Sequence, residues 1–295
     1  MTSTHPGPRI WFITGASKGL GRAFTEAALA AGDRVAAVAR TMTDATIDTN
    51  SDADIDTESD RLLRITTDVT DRASVFAAVE QAVQHFGRLD VVVNNAGTLT
   101  MGFVEEYSEA EARQQLETNF FGALWVSQAA MAVFRRQRSG HLVQVSSIAG
   151  LGGFPSSGLY SASKFALEGL SEALALEAAG FGAKLTILQP GGYWTDLYTD
   201  LALASEIDDY ATLRSQMAEQ FEGDSIDSDP KLAAEAVMRL VASNDPPRRL
   251  LLGSMVYDLA ITLTDARRED WAAWEQTSRA AEHAIANPND TPPAQ

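Results

Sequence analysis

The fold is decided by the stretch Arg9-Ile10-Trp11-Phe12-Ile13-Thr14-Gly15-Ala16-Ser17-Lys18-Gly19-Leu20-Gly21-Arg22-Ala23-Phe24. An apolar run over 9–14 has the look of a buried strand, and an amphipathic helix is expected over 19–31. Between them, Gly15, Gly19 and Gly21 permit a tight turn, close approach of the backbone to a phosphate, and close packing of helix on strand. The helix start adds unpaired amides and a partial positive charge. A glycine-rich run alone is an ordinary turn. Strand, glycines and helix in this order read as a pyrophosphate cradle whose members are Gly15, Ser17, Lys18, Gly19, Leu20 and Gly21.

Outward from this stretch, short apolar runs alternate with helix-length segments. Strands are expected at 9–14, 34–39, 62–67, 89–94, 141–146 and 184–189, and helices near 19–31, 71–86, 108–137 and 158–180. A helix at 230–243 and a strand at 249–252 extend the series. Such spacing implies βαβ units with right-handed crossovers. The expected fold class is α/β: a single-domain Rossmann fold over 1–286, its parallel sheet of about seven strands covered on both faces.

Composition narrows the function classes. The 295 residues carry a formal charge of -17, which argues against nucleic-acid partners and anionic membranes. Without cysteine there are no disulfides, thiolate nucleophiles or cysteine-held metals. The first residues lack the regions of a signal peptide, and no apolar run reaches membrane-spanning length, so a cytoplasmic location is expected.

The nucleotide is read at the end of the second strand. An NAD site usually carries an acid there for the ribose 2′-hydroxyl, whereas this chain has Ala39-Arg40. Asp33 precedes the strand, on the wrong edge, and reads as a turn residue. Arg40 and Lys18 can clamp a 2′-phosphate from two sides, which favours NADP(H) over NAD(H).

The chemistry is read in Tyr160-Ser161-Ala162-Ser163-Lys164, which sets a phenol and an ammonium at i and i+4 on one helix face. A nearby cation lowers a phenol pKa from about 10, so that Tyr160 can exchange a proton near neutrality. Ser147 ends the fifth strand thirteen residues upstream of Tyr160, at the sheet edge that lines a ligand crevice. Its hydroxyl can hydrogen-bond a substrate oxygen as charge develops. Ser146 is its obvious rival. His85 and His141 lie at a helix end and a strand start, and no metal site is expected.

With these motifs in order, residues 9–255 resemble the short-chain dehydrogenase/reductase family, in its compact branch of hydroxysteroid-dehydrogenase-like and carbonyl-reductase-like members. The resemblance rests on Thr14-Gly15 through Gly21, Asp68-Val69, Asn94-Asn95-Ala96-Gly97, Asn119, Ser147, Tyr160, Lys164 and Pro190-Gly191. It implies that Tyr160 is the general acid in reduction and the base in oxidation. Lys164 would bind the nicotinamide ribose and lower the Tyr160 pKa, and Ser147 would hold the substrate oxygen. Asn119 would position a water that relays protons from Lys164. Asp68 with Val69 would meet the adenine, and Asn95, Ala96 and Gly97 would support the cofactor. Pro190 and Gly191 would border it, and Thr195 would meet the carboxamide. Family spacing also selects Ser147 over Ser146.

Three segments depart from the core pattern. Residues 41–60 hold seven acids and no Lys or Arg, and read as a solvated surface loop. A passing likeness to a calcium loop fails at Thr57 and Leu63. Residues 192–229, rich in aromatics and acids, read as a helical substrate lid or as a packed surface excursion. Residues 254–286 read as a helical extension over the cleft or against another subunit, and 287–295 as a disordered tail. The long helices 108–137 and 158–180 commonly form the family's interface, which implies a homodimer or homotetramer. The expected function is hydride transfer between NADP(H) and an apolar ketone, aldehyde or secondary alcohol. The alternatives are a non-catalytic NADP(H)-sensing regulator and a sugar-nucleotide epimerase; the retained Tyr160 and Lys164 oppose the first, and the glycine spacing opposes the second.

Overall fold

In the computed structural model, which describes residues 7–42, 60–197, 200–221 and 228–282, β1 (Ile10–Thr14) leads through the glycine-rich turn into α1 (Gly19–Ala30). There follow β2 (Arg34–Ala39), β3 (Leu62–Thr66), α2 (Arg72–Phe86), β4 (Val91–Asn94) and the two-residue β5 (Thr100–Met101). Next come α3 (Glu109–Leu116), α4 (Ala123–Gln137), β6 (Gly140–Val145), α5 (Gly158–Ala179) and β7 (Ala183–Pro190). The described chain ends with β8 (Ala202–Leu203), α6 (Ala211–Phe221), α7 (Pro230–Ala242), β9 (Arg249–Leu252), α8 (Ser254–Ala273) and α9 (Glu275–Ala280).

Seven of these strands form one parallel sheet in the order β3-β2-β1-β4-β6-β7-β9. Side chains alternate across it, as the strand period of two requires. From β1, Ile10 and Phe12 enter the layer shared with α2 and α4, while Trp11 and Ile13 enter the layer shared with α1 and α7. Both faces are therefore buried, which explains the nearly continuous apolar runs. The order reverses between β1 and β4, so the carboxyl ends of these two strands flank the crevice where ligands of open α/β sheets bind.

The helix expected over 108–137 is interrupted. Between α3 and α4, residues Glu117–Gly122 form a wide π-helical turn. Two contacts account for it. The Asn119 side chain turns inward to the Thr98 backbone, and Gly122 sits so close to Val69 that an added Cβ would lie 2.8 Å from Val69 Cγ2. Such π turns are rare and frequent at functional sites. The acidic segment 41–60 falls almost entirely outside the described residues, as does the 287–295 tail. The 192–229 segment contains β8, paired with β5, and α6. No helix among the described residues is long and apolar enough to cross a membrane.

Candidate active site

Gly15 and Gly19 adopt positive φ angles of 64° and 54°, which let the chain double back at the end of β1. Gly21 is constrained by approach instead, since an added Cβ would lie 2.2 Å from the Gly15 carbonyl oxygen. Asn95, at the end of β4, ties this loop to the sheet: its Nδ2 donates to the carbonyls of Thr14 (3.0 Å) and Gly15 (3.3 Å). The buried Thr14 hydroxyl accepts from the Asn95 and Ala96 amides at 3.0 and 3.1 Å. Lys18 is the N-cap of α1, and its side chain does not cap the helix, which leaves the opening amides to another acceptor. The cradle fits a pyrophosphate: open amides, a helix start and no Cβ in the way.

At the neighbouring strand ends, Arg40 is exposed directly after β2. Asp33 lies at the other edge, buried, where it accepts from the Arg9 amide and Trp11 Nε1, both at 2.8 Å. It is a structural turn residue, as its position predicts. Asp68 follows β3 and accepts from the Thr70 amide and hydroxyl through Oδ1. Val69 is buried against Gly122. Lys18 departs from the two-sided clamp: its ammonium pairs with Asp200, an exposed carboxylate from the segment after β7. That acid was not marked by any motif, and it is the counterion within reach. Thr195 packs on the loop, with its Cβ 3.1 Å from the position of a Cβ on Gly19. Gly191 donates to the Leu252 carbonyl at 3.2 Å, which seats the end of β7 beside β9.

The end of β6 distinguishes the two serines. Ser146 is buried and donates to Glu168 Oε1 at 2.7 Å, beneath the turn. Ser147 stands half-exposed and accepts from the Ala149 amide at 3.2 Å, capping the short turn Ile148–Gly150 against which α5 packs. On α5, Tyr160 is half-buried and Lys164 fully so. Lys164 Nζ lies 5.5 Å from the Tyr160 ring centroid and donates to the Val145 carbonyl at 2.9 Å. Burial pushes the Lys164 pKa down to about 8, and the Glu168 carboxylate opposes that fall. Asn119 is buried and hydrogen-bonded through both amide atoms: Oδ1 accepts from the Thr98 amide at 2.8 Å, and Nδ2 donates to the Thr98 carbonyl and the Ser163 hydroxyl. Its Oδ1 also borders Gly97, where an added Cβ would lie 3.4 Å from it and 3.8 Å from Lys164 Nζ.

Two acids were missed by motif reading. Glu168 sits one helical turn beyond Lys164, buried in an otherwise apolar run, and that position was the available signal. Glu106, also buried, accepts from the Phe103 and Ile207 amides and from Arg214 Nη2. These bonds hold its pKa down to about 2, with the Arg214 hydrogen bond first among them. The buried His141 belongs to the opposite sheet edge; burial, then Lys184, lowers its pKa to about 4.

Comparison with known proteins places this geometry. The family model for short chain dehydrogenase matches residues 9–205, two thirds of the chain, from β1 through β8. The chain belongs to the short-chain dehydrogenase family. An oxidoreductase, BOA17, from Botryotinia fuckeliana is 36% identical over 276 residues, 92% of this chain and 99% of that protein. A 3-ketodihydrosphingosine reductase from Bacteroides thetaiotaomicron is 36% identical over 256 residues, 84% and 89% of the two chains. A short-chain dehydrogenase structure from Streptomyces avermitilis superposes with a TM-score of 0.84 at 35% identity, covering 96% and 100%.

Around the strand ends of this short-chain dehydrogenase, an open cleft of about 420 Å³ is bounded by Gly19, Arg22, Glu26, Trp194, Thr195 and Lys231. It flanks the glycine loop on the α1–α7 side, away from Tyr160. On the Tyr160 side, α8 touches the start of the loop Leu151–Pro155. Leu263 packs on Gly152, where a Cβ would lie 2.8 Å from Leu263 Cδ1, and Arg267 donates to the Leu151 carbonyl. Of the aromatics expected in a lid, Tyr193 is buried and Trp194 exposed. Tyr210 stacks on Phe103 at 4.7 Å and donates to Glu105. Tyr198 and the Phe221 side chain lie outside the described residues.

Proposed function

We propose that this short-chain dehydrogenase interconverts a carbonyl and an alcohol on a mainly apolar substrate, with NADP(H) as cofactor and Tyr160 as the proton-transferring group. The observation that carries the reading is the burial of Lys164 beside the Tyr160 ring with the half-exposed Ser147 at the adjoining strand end. The nicotinamide cofactor supplies or accepts the hydride when bound. In reduction, Ser147 donates a hydrogen bond to the substrate oxygen and Tyr160 gives it a proton; in oxidation Tyr160 takes the proton back. The Lys164 cation favours the phenolate and so brings Tyr160 into range near neutral pH. Asn119, held by Thr98 and Ser163, braces the wall beside Lys164.

Gly15, Ser17, Gly19, Leu20 and Gly21 would hold the pyrophosphate, while Asp68 and Thr195 would border the two ends of the cofactor. Arg40, exposed at the end of β2 where the strand Arg34–Ala39 carries no acid, supports a preference for the 2′-phosphate. Lys18 joins it by exchanging Asp200 for the phosphate. The loop Leu151–Pro155 and α8 supply an apolar wall, and a relative that takes a keto substrate by name agrees with a ketone. The exposed Phe165 and Leu176 of α5 support a homo-oligomer built on this helix.

A screen of NADPH oxidation across aldehydes, ketosteroids, quinones and ketoesters identifies a working substrate. With that substrate, Tyr160→Phe is expected to abolish turnover while NADPH affinity stays within about threefold, a difference below 1 kcal/mol. Unchanged turnover refutes the role of Tyr160. Arg40→Asp is expected to shift preference towards NADH, and an unaltered preference refutes the 2′-phosphate site.

A further inference from the structure

We infer that Glu168 is a positioning residue for Lys164, a buried counter-charge one helical turn away that also holds the Ser146–Ser147 turn from beneath. The inference rests on the reading of Lys164 and Tyr160 given above. Glu168 is enclosed on every side: Oε1 accepts from the Ser146 hydroxyl at 2.7 Å and from Gln189 Nε2 at 2.6 Å, and Oε2 accepts from Arg249 Nη2 at 3.1 Å. Gly150 closes the roof, since an added Cβ would lie 2.5 Å from Oε1. The carboxylate therefore joins the ends of β6 and β7 and the start of β9 to the helix that carries Tyr160 and Lys164. For packing alone, an apolar side chain of similar volume would serve as well or better, because a buried ion pair contributes little net stability.

The charges around Lys164 make the carboxylate's task specific. Its ammonium faces the Val145 carbonyl on β6, the Tyr160 ring on its own helix and the Gly97–Asn119 wall. Of the charged groups in this region, Glu168 raises the Lys164 pKa against burial. Arg249, from β9, is occupied by Glu168 and by Glu172 on the solvent side. With Glu168 neutral, Lys164 sheds its proton more readily and the cation beside Tyr160 is lost over the working range. The direct field of Glu168 on Tyr160 acts in the opposite sense. It crosses two helical turns, about 12 Å, against the one turn, about 6 Å, that separates Glu168 from Lys164, so the effect through Lys164 prevails.

The test is the ultraviolet titration of the Tyr160 phenolate, isolated as the difference between the full-length chain and its Tyr160→Phe variant. In the parent protein the midpoint is expected below the ordinary phenol value of about 10. Glu168→Gln is expected to raise it by about one pH unit, a tenfold change in proton affinity. Because that substitution leaves Arg249 facing an amide, Glu168→Gln/Arg249→Gln is measured alongside and is expected to show the same upward shift. Lost packing would not move this midpoint in a chain that remains folded. If the parent midpoint is low and the double variant leaves it unmoved, the inference falls and the reading of Tyr160 stands. A parent midpoint at the ordinary value overturns both.

Discussion

Lys164 carries its charge where the fold offers it little hydration. A pKa brought from 10.5 to about 8 by burial corresponds to a penalty on the charged form on the order of 3 kcal/mol. The unfolded chain holds this proton up to the higher value and the folded chain only up to the lower, so the penalty is fully present below pH 8 and gone above 10.5. Lys164→Met is therefore expected to raise the thermal midpoint at pH 7 while abolishing turnover. Its advantage should shrink as pH rises through that window, and a difference independent of pH would refute the assignment. Gly21→Ala tests the other end of the crevice. With a Cβ 2.2 Å from the Gly15 carbonyl, it is expected to cost about 1–3 kcal/mol in a denaturant titration and to weaken NADPH binding at least tenfold. At this scale the sequence was legible where chemistry has a period: Tyr160 and Lys164 lie four apart on one helix. Ser146 and Ser147 differ by one residue and so point to opposite sides of a strand end. The Lys18–Asp200 pair joins residues 182 apart, and no local pattern encodes it.

At the level of elements, the segment after β7 is held to the body of the protein by Glu106. Its carboxylate caps the short Val104–Glu106 turn through Phe103 and at the same time receives the Ile207 amide and Arg214. Removing the charge leaves Arg214 and a buried amide without that partner. Glu106→Ala is expected to increase hydrogen exchange over 207–221 with little change in the seven-stranded sheet; unchanged exchange there would show that β8 and the Phe103–Tyr210 stack suffice. Elements of the main sheet were legible because both its faces are buried, and Arg34–Ala39 and Arg249–Leu252 fall where the apolar runs place them. β5 and β8, two residues each, are too short to display a period, and their pairing depends on contacts a hundred residues apart. The π turn at Glu117–Gly122 was hidden for a related reason. Its cause lies in Thr98 and Val69, outside the helix, while the sequence within it keeps a helical pattern.

For the whole molecule, the 40 acidic residues against 23 Lys and Arg create self-repulsion that relaxes as pH falls, which favours the folded state. Buried titrating groups work against this, and His141 dominates the range just below neutrality. Its Nε2 lies 3.0 Å from the Thr186 hydroxyl, whose own proton goes to the Pro247 carbonyl, so the ring proton is assigned to Nε2. The imidazole is thus held neutral between β6 and β7, with a pKa about 4 against 6.5 when unfolded. As pH falls the unfolded chain takes up this proton first. Stability is lost between pH 6.5 and about 4, by an amount on the order of 3 kcal/mol, and no further loss comes from this residue below that. Glu106 acts lower, since its contribution is present above the ordinary carboxylate value of 4.5 and fades as pH approaches about 2. His141→Gln keeps a donor for Thr186 but cannot titrate. Both proteins carry nearly the same surface charge, so the difference in their thermal midpoints cancels the self-repulsion. That difference is expected to move in favour of the variant as pH falls from 6.5 to 4, and to level off below. A difference that stays constant across this window would mean that the acid sensitivity of the fold has another source.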